Sequence, residues 1–345
     1  MFLRVSCLVF LLGISLLARA DEQSLDLETE QPLEVNRPVQ STGPRLMGRA
    51  DLTVDVSEVN HTGGSTPFQF KNYHFFLFLK AQASTKVTFF AEFVGRYFYE
   101  IKYSPWTWLS IHLGKIIVPF GNTDNFHHLY GGTSINASGS GIMFPNIWAA
   151  SGIQTEWGIG DHSTLDVYAL SGINAAVGSD PDFTNPAGKT PAAGIRWTSR
   201  LLSGLKVLGS FYYETWSSGK SLFLAGLDAS TDYSLLASVA VLKHFRLGMG
   251  AAIGFIERGS SGDFHKYGDY IELASNVIRL GELRARYGTY VNNNRVKSSL
   301  DSQSLNVAWL VPIDVMKLMV EYQWNFEAIN EIHNDLLRVM VSLDF

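Results

Sequence analysis

Residues 336–345 read Leu336-Leu337-Arg338-Val339-Met340-Val341-Ser342-Leu343-Asp344-Phe345. Successive side chains of an extended strand point to opposite faces. Leu337, Val339, Val341, Leu343 and Phe345 therefore share one face, and Arg338, Met340, Ser342 and Asp344 share the other. One face calls for apolar surroundings and the other for at least partly polar ones. A soluble sandwich could own one such strand, so the rest of the chain must decide whether water or lipid lies outside it.

The amino-terminal residues supply a secretion route. Met1 to Ala20 carries Arg4, an apolar run from Leu8 to Leu17, and Ala18-Arg19-Ala20 before the acidic Asp21-Glu22. This is the layout of a secretory leader with a small-residue cleavage site, and the run is too short to span a bilayer as a helix. Residues 1–20 are therefore read as a cleaved signal peptide. Cys7, the only cysteine, leaves with it and has no lipobox around it, so the mature chain has no disulfide, thiolate metal site or cysteine nucleophile. With this secretion route, the terminal strand resembles the closing strand of bacterial outer-membrane β-barrels, which ends on a free aromatic carboxy-terminus. That resemblance implies an outer-membrane location; the even strand count reached below puts both termini in the periplasm.

Composition points the same way. The chain has 22 Phe, 14 Tyr, 8 Trp and 31 Gly but only 11 Pro. No stretch after the leader approaches the length of a transmembrane helix. Aromatic and glycine richness without a long apolar run suits a barrel that alternates outward and lumen-facing residues, although a large soluble β-protein shares those features. Losing Arg4 and Arg19 takes the formal net charge from −5 to −7, which argues against a nucleic-acid partner.

Residues 21–45 are acidic and poor in aromatics, with Glu28, Glu30 and Glu34 around Pro32, then Pro38 and Pro44. They read as a flexible periplasmic tail. From residue 46 to Phe345 the pattern is strands. Ala50, Leu52, Val54 and Val56 alternate with Arg49, Asp51, Thr53 and Asp55. Residues 68–80 are nearly apolar on both faces. Val87, Phe89, Ala91 and Phe93 oppose Thr88, Phe90 and Glu92. After a break at Gly95, Tyr97, Tyr99, Ile101 and Tyr103 oppose Arg96, Phe98, Glu100 and Lys102. Further strands are expected at 109–118, 151–160, 164–174, around 193–198, 204–216, near 227–241, 246–257, 267–276, 281–291, 302–311, 315–327 and 335–345. The clearest sets Met316, Leu318, Val320, Tyr322, Trp324 and Phe326 against Lys317, Met319, Glu321, Gln323 and Asn325. Short turns alternate with longer connections at 119–150, 174–191, 258–266 and 292–301, as expected of short periplasmic turns and long external loops. The expectation is an all-β transmembrane antiparallel barrel of 16 strands. The break at Gly95 or the merging of 221–231 with the next strand would shift the count to 14 or 18. The chain supplies roughly 20 residues per strand and connection, against ~10 needed to cross.

A narrower resemblance appears at Leu109-Ser-Ile-His-Leu-Gly-Lys-Ile-Ile-Val-Pro-Phe-Gly121. This stretch is similar to the strand entering the constriction loop of the phosphate-selective porins of the O/P type. Ser151-Gly-Ile-Gln-Thr-Glu-Trp-Gly, a short turn and Asp166-Val-Tyr-Ala-Leu-Ser-Gly-Ile-Asn174 continue the likeness. It implies a homotrimeric porin, general or anion-preferring, with phosphate among the candidate solutes. The family's ladder of arginines and lysines is not traceable in this sequence. Apolarity on both faces of 68–80 gives separate support for a trimer, because a strand buried on both faces reads this way.

In a barrel of this size the inward side chains face water. The charges that fall on the inner face include Glu92, Arg96, Glu100, Lys102, Glu156, Asp166, Arg196, Lys206, Glu214, Glu282, Arg284, Arg286, Lys317, Glu321 and Arg338. Their signs are mixed, and each is more readily explained by a structural partner than by a solute. Lys115 shares parity with Leu109, Ile111 and Leu113, so it requires a bulge at Gly114 to turn inward or else lies at the rim; the bulge is the reading adopted. The long connection 119–150 is the candidate constriction, with Asp124, His127 and His128 nearest a permeant solute. Adjacent histidines beside one aspartate arise readily by chance, so no metal is assigned, and no cofactor is marked.

Gly248-Met-Gly-Ala-Ala-Ile-Gly254 looks like a dinucleotide fingerprint, but Leu247, Met249, Ala251, Ile253 and Phe255 alternate with small residues, which makes it a strand. No nucleophile elbow or metalloprotease helix marks an enzyme. Two functions remain. One is passive diffusion of small hydrophilic or ionic solutes. The other is a surface barrel without transport, an adhesin, receptor or structural protein, with outer-membrane lipid as partner in either case. Modest loops favour the channel.

Overall fold

A computed structural model describes residues 43–59, 68–94, 98–121, 149–172, 191–202, 204–216, 220–235, 242–257, 262–276, 281–291, 294–295, 302–327 and 334–345. Sixteen strands run through them. They are β1 (Arg45–Val59), β2 (Phe68–Gln82), β3 (Val87–Val94), β4 (Tyr99–Trp106), β5 (Leu109–Ile117), β6 (Ala149–Ile159), β7 (Ser163–Ser171) and β8 (Pro191–Leu202). The second half has β9 (Leu205–Trp216), β10 (Lys220–Thr231), β11 (Phe245–Glu257), β12 (Phe264–Ser275), β13 (Glu282–Val291), β14 (Ser302–Ile313), β15 (Met316–Glu327) and β16 (Asn334–Asp344). Each pairs antiparallel with its sequence neighbours, and β1 pairs with β16 to close the barrel. One 3₁₀ turn, Leu242–His244, is the helical element among the described residues.

Closure abolishes free strand edges. The β1–β16 register runs from Arg49↔Asp344 to Val59↔Asn334. The carboxy-terminal residue completes it: Phe345 N–H donates to Gly48 O (3.0 Å) and Gly48 N–H to Phe345 O (2.7 Å). With an even strand number, both ends of the barrel chain lie at one mouth, the terminus-bearing end. Even-numbered strands end there.

Alternation sorts the side chains as period 2 requires. Arg49, Asp51, Thr53 and Asp55 are buried within the barrel while Leu52 is exposed. On β15, Met319, Glu321 and Gln323 are buried; on β16, Arg338, Met340 and Ser342 are buried while Val341, Leu343 and Phe345 are exposed. Aromatic residues collect at the edges of the outer surface. Trp106 stacks on Trp108 at 5.2 Å, and Trp108 lies 5.5 Å from Trp157, around the β4–β5 turn at the terminus-bearing end. Tyr99, at the opposite end of β4, is exposed.

Two sequence expectations are corrected. The strand placed near 227–241 is instead β10, Lys220–Thr231; residues 233–235 form a turn and 236–241 lie outside the described residues. Its inward Leu222 and Leu224 are fully buried. Over its first half both faces of this strand are therefore apolar, and alternation did not mark it. Residues 68–80 are also not a strand with two equivalent apolar faces. Ala50 pairs with Phe75 but Leu52 with Asn72, so a bulge inserts one residue in β2 and reverses parity. Phe68 and Phe70 before it, and Phe75 after it, all stand exposed on the outside. Phe78 points inward, stacked on Phe90 at 5.5 Å and beside Phe98 at 6.2 Å. Two-sided apolarity therefore comes from a parity switch and an internal aromatic cluster, and it supplies no argument for a trimer. The leader and residues 21–42 lie outside the described residues.

Candidate pore lining

Several sectors of the inner wall carry pairs of opposite charge. At the β1–β16 seam, Arg338 Nε and Nη2 donate to both oxygens of Asp55 (2.7 and 3.2 Å), and Glu321 Oε2 lies 4.0 Å from Arg338 Nη1. Ser342 donates to Asp51 and Asn306 to Glu321, the latter at 2.8 Å. In the sector β4–β8, Lys102 Nζ meets Glu156 at 3.3 Å, His112 meets Glu100 at 3.2 Å, and Asp166 accepts from Arg196 Nε (2.8 Å) and Gln154 (2.9 Å). Registers Lys102↔His112↔Gln154↔Tyr168 and Glu156↔Asp166↔Arg196 place these groups at neighbouring heights on one wall.

The densest cluster lies on β11–β13. Arg246 donates to Glu282 at 2.9 Å and lies 3.9 Å from Glu272; Arg286 donates to Glu272 at 2.8 Å; Arg284 pairs with Glu282. The Arg286 guanidinium sits 4.4 Å above the Tyr270 ring, whose hydroxyl donates to Asp228 at 3.0 Å. That contact crosses β11 over Gly250, where a Cβ would lie 2.3 Å from Asp228 Oδ1 and 2.5 Å from the Tyr270 ring. Tyr168 does the same over Gly194 to reach Phe211 O at 3.2 Å. The glycines of the inner face thus let an aromatic ring lie flat across a neighbouring strand.

The chain after β5 leaves the wall. Val118, Pro119 and Phe120 are buried, and Phe120 packs with Ile116, Tyr168, Tyr212, Leu222, Leu224, Ile256, Phe264 and Tyr290 from the inner faces of β5–β13. A Cβ on Gly226 of β10 would meet the Phe120 ring at 3.3 Å, and Gly121 N–H donates to Ser210 Oγ of β9 at 2.9 Å. The segment entering the long connection 119–150 therefore runs into the barrel and docks four to five strands away.

Of the residues singled out from sequence, Glu92, Lys102, Glu156, Arg196, Arg284, Arg286 and Glu321 lie on the inner face, most of them in the ion pairs above. Lys115 falls on the opposite parity. The β5–β6 register is unbroken from Leu109↔Trp157 to Ile117↔Ala149, and Lys115 pairs with Tyr99 and Ser151 in the outward series near the end of β5. Gly114 takes φ 136° without a bulge, and a Cβ on it would lie 2.3 Å from Tyr99 O. Arg96, Asp124, His127 and His128 lie outside the described residues. Arg246, Glu272, Asp228 and Tyr233 were missed. Arg246 stands one residue inside its strand beside an expected turn, and Glu272 gains its meaning only from the register with Arg286.

Tyr233, in the turn after β10, donates to Glu282 Oε2 at 2.6 Å. Burial pushes its hydroxyl pKa up, and the Glu282 carboxylate that accepts its hydrogen bond pushes it further, so the phenol stays protonated.

No protein-family model matches this sequence, and no curated protein sequence matches it. Solved structures do. The anion-selective porin of Comamonas acidovorans is similar with a TM-score of 0.63 at 11% identity, covering 88% of this chain and 100% of that one. The outer-membrane channel DcaP of Acinetobacter baumannii is similar with a TM-score of 0.62 at 10% identity, covering 88% and 97%. The trimer form of OmpT, an outer-membrane protein of Vibrio cholerae, gives a TM-score of 0.56 at 9% identity, covering 88% and 99%. What the chain shares with these bacterial outer-membrane proteins, porins among them, is the fold, a closed 16-stranded antiparallel barrel.

Proposed function

We propose that this chain is a bacterial outer-membrane channel for passive diffusion of small hydrophilic or ionic solutes, anions such as phosphate included. The observation that carries the reading is the path of Val118–Gly121, which enters the barrel and docks on Ser210 and Gly226. A loop held inside a barrel with a charged inner wall narrows a pore without sealing its rim. Closed pairing satisfies every backbone group that lipid would leave unpaired. In this reading residues 1–20 are the cleaved leader and 21–45 the periplasmic tail. Asp124, His127 and His128 stand at the narrowest point, and Arg196, Arg284, Glu92 and Glu156 line the approach. A homotrimer and kinship with the O/P-type porins rest on the sequence resemblance. The trimer form among the similar structures supports the former.

Close packing of the inner face carries a second reading. Lys266 and Glu214 are fully buried, as are Leu222 and Leu224. A lumen that narrow or filled would suit a surface barrel without transport. Swelling of proteoliposomes in iso-osmotic sugars separates the two: graded swelling that falls with solute size supports the channel, and none from correctly folded protein supports the surface barrel.

A further inference from the structure

At the terminus-bearing end, the described turns are brief, as at 107–108, 160–162 and 314–315. The connection from β10 to β11 is longer, and among its described first residues Tyr233 reaches the inward Glu282. Asp232 N–H donates to Gly204 O in the β8–β9 turn at 2.8 Å, and Asp232 Oδ1 accepts from Ser234 N–H (2.7 Å) and Ser234 Oγ–H (2.5 Å). Gly204 has φ 85°, and a Cβ on it would lie 2.5 Å from Asp232 Oδ1 and 2.7 Å from Leu235 N. Glycine there lets the turn seat against the neighbouring one. Tyr233 then reaches past β11 and β12 to Glu282 at the foot of β13, which Arg246 and Arg284 also hold. Neighbouring strands are ~4.8 Å apart, so the span from β9 to β13 is about 19 Å of wall. A turn anchored at both edges of that span is a chord across the opening.

We propose that the turn 232–235 forms a second narrowing of the channel at the terminus-bearing mouth, and that the Tyr233–Glu282 hydrogen bond fixes its position while the Arg246–Glu282–Arg284 group sets its charge. The inference rests on the channel reading above. Arg246, Arg284 and Arg286 there face Glu272 and Glu282, three guanidinium groups against two carboxylates, so the group holds one positive charge in excess. Removing one carboxylate tips it towards anions, and removing one guanidinium tips it towards cations.

The test uses the full-length mature protein. Tyr233→Phe keeps the ring and removes only the latch; Asp232→Ala frees the turn without touching the wall; Glu282→Gln and Arg246→Gln change charge. Single-channel conductance and reversal potential in a KCl gradient are recorded for each, together with hydrogen exchange at the Asp232 and Ser234 amides. Tyr233→Phe and Asp232→Ala should both speed amide exchange and raise conductance. Glu282→Gln should move the reversal potential towards the chloride equilibrium value and Arg246→Gln towards that of potassium. Faster exchange with unchanged conductance and selectivity would overturn the narrowing. Wild-type exchange rates in Tyr233→Phe would overturn the latch. A folded wild type with protected amides that passes no current would instead remove the channel reading and leave the latch as a purely structural contact.

Discussion

Val320→Arg tests the orientation of the whole wall. Val320 lies on β15, opposite Val339 on one side and Trp309 on the other, in an outward apolar row that Val54 continues. At ~3.3 Å per residue and a strand tilt of about 40°, it stands about 10 Å above Met316 at the start of the strand. An apolar band ~25 Å tall has its midplane at about 12 Å, so an arginine at 320 has little room to snorkel to either surface. The expected cost is ~2–4 kcal/mol. Met316→Arg places the same charge on the same face at the rim and should cost only ~0–1 kcal/mol. Both are measured by reversible denaturant unfolding in lipid vesicles, followed by tryptophan fluorescence, with heat-modified gel mobility as the check of folding. Equal costs for the two, or full tolerance of Val320→Arg, would refute the assignment of this face to lipid.

Two further outcomes follow from the inner face and one from the proposed constriction. Arg338→Ala leaves the buried Asp55 and Glu321 without their shared cation and should cost ~3–5 kcal/mol, read as a lower temperature for loss of the compact gel band. Gly194→Ala sets a methyl 2.2 Å from Tyr168 Oη and 2.5 Å from Phe211 O, and overpacking of this kind should cost ~1–3 kcal/mol in the same unfolding assay. If His127 and His128 line the path, protonation adds positive charge there, so anion preference should rise between about pH 7.5 and 5.5. Reversal potentials that keep the same pH dependence in His127→Ala/His128→Ala would remove both residues from the path.

Most of the strands were legible because one face of each is apolar and the other polar, and the terminal strand 335–345 shows why: Arg338 and Ser342 meet Asp55 and Asp51 while Val339 and Val341 face out. Legibility failed where that contrast vanishes. β10 carries Leu222 and Leu224 inward because Phe120 docks on that sector, so it lacked alternation, while Tyr233 to Val241 imitated it. A bulge like that in β2 reverses parity without any residue that announces it. The Gly114 conformation left Lys115 outside, because a positive φ at a glycine need not add a residue to the register. The Arg246–Glu272–Glu282–Arg284–Arg286 cluster depended on how three strands are offset, which hairpin geometry sets and single-strand periodicity does not record. Pro119-Phe120-Gly121 could be tied to a constriction only by resemblance; its docking on Ser210 is a contact across 89 residues of sequence.

The central claim is that this barrel is a channel narrowed by the segment that follows β5. Single-channel recording in planar bilayers, on the wild type and on Phe120→Ala, tests it most directly. The account predicts discrete steps for the wild type that grow with salt concentration, and a larger step for Phe120→Ala, whose lost ring releases the segment from Gly226 and the wall around it. A folded wild type without conductance steps, or a Phe120→Ala step identical to the wild type, would contradict it.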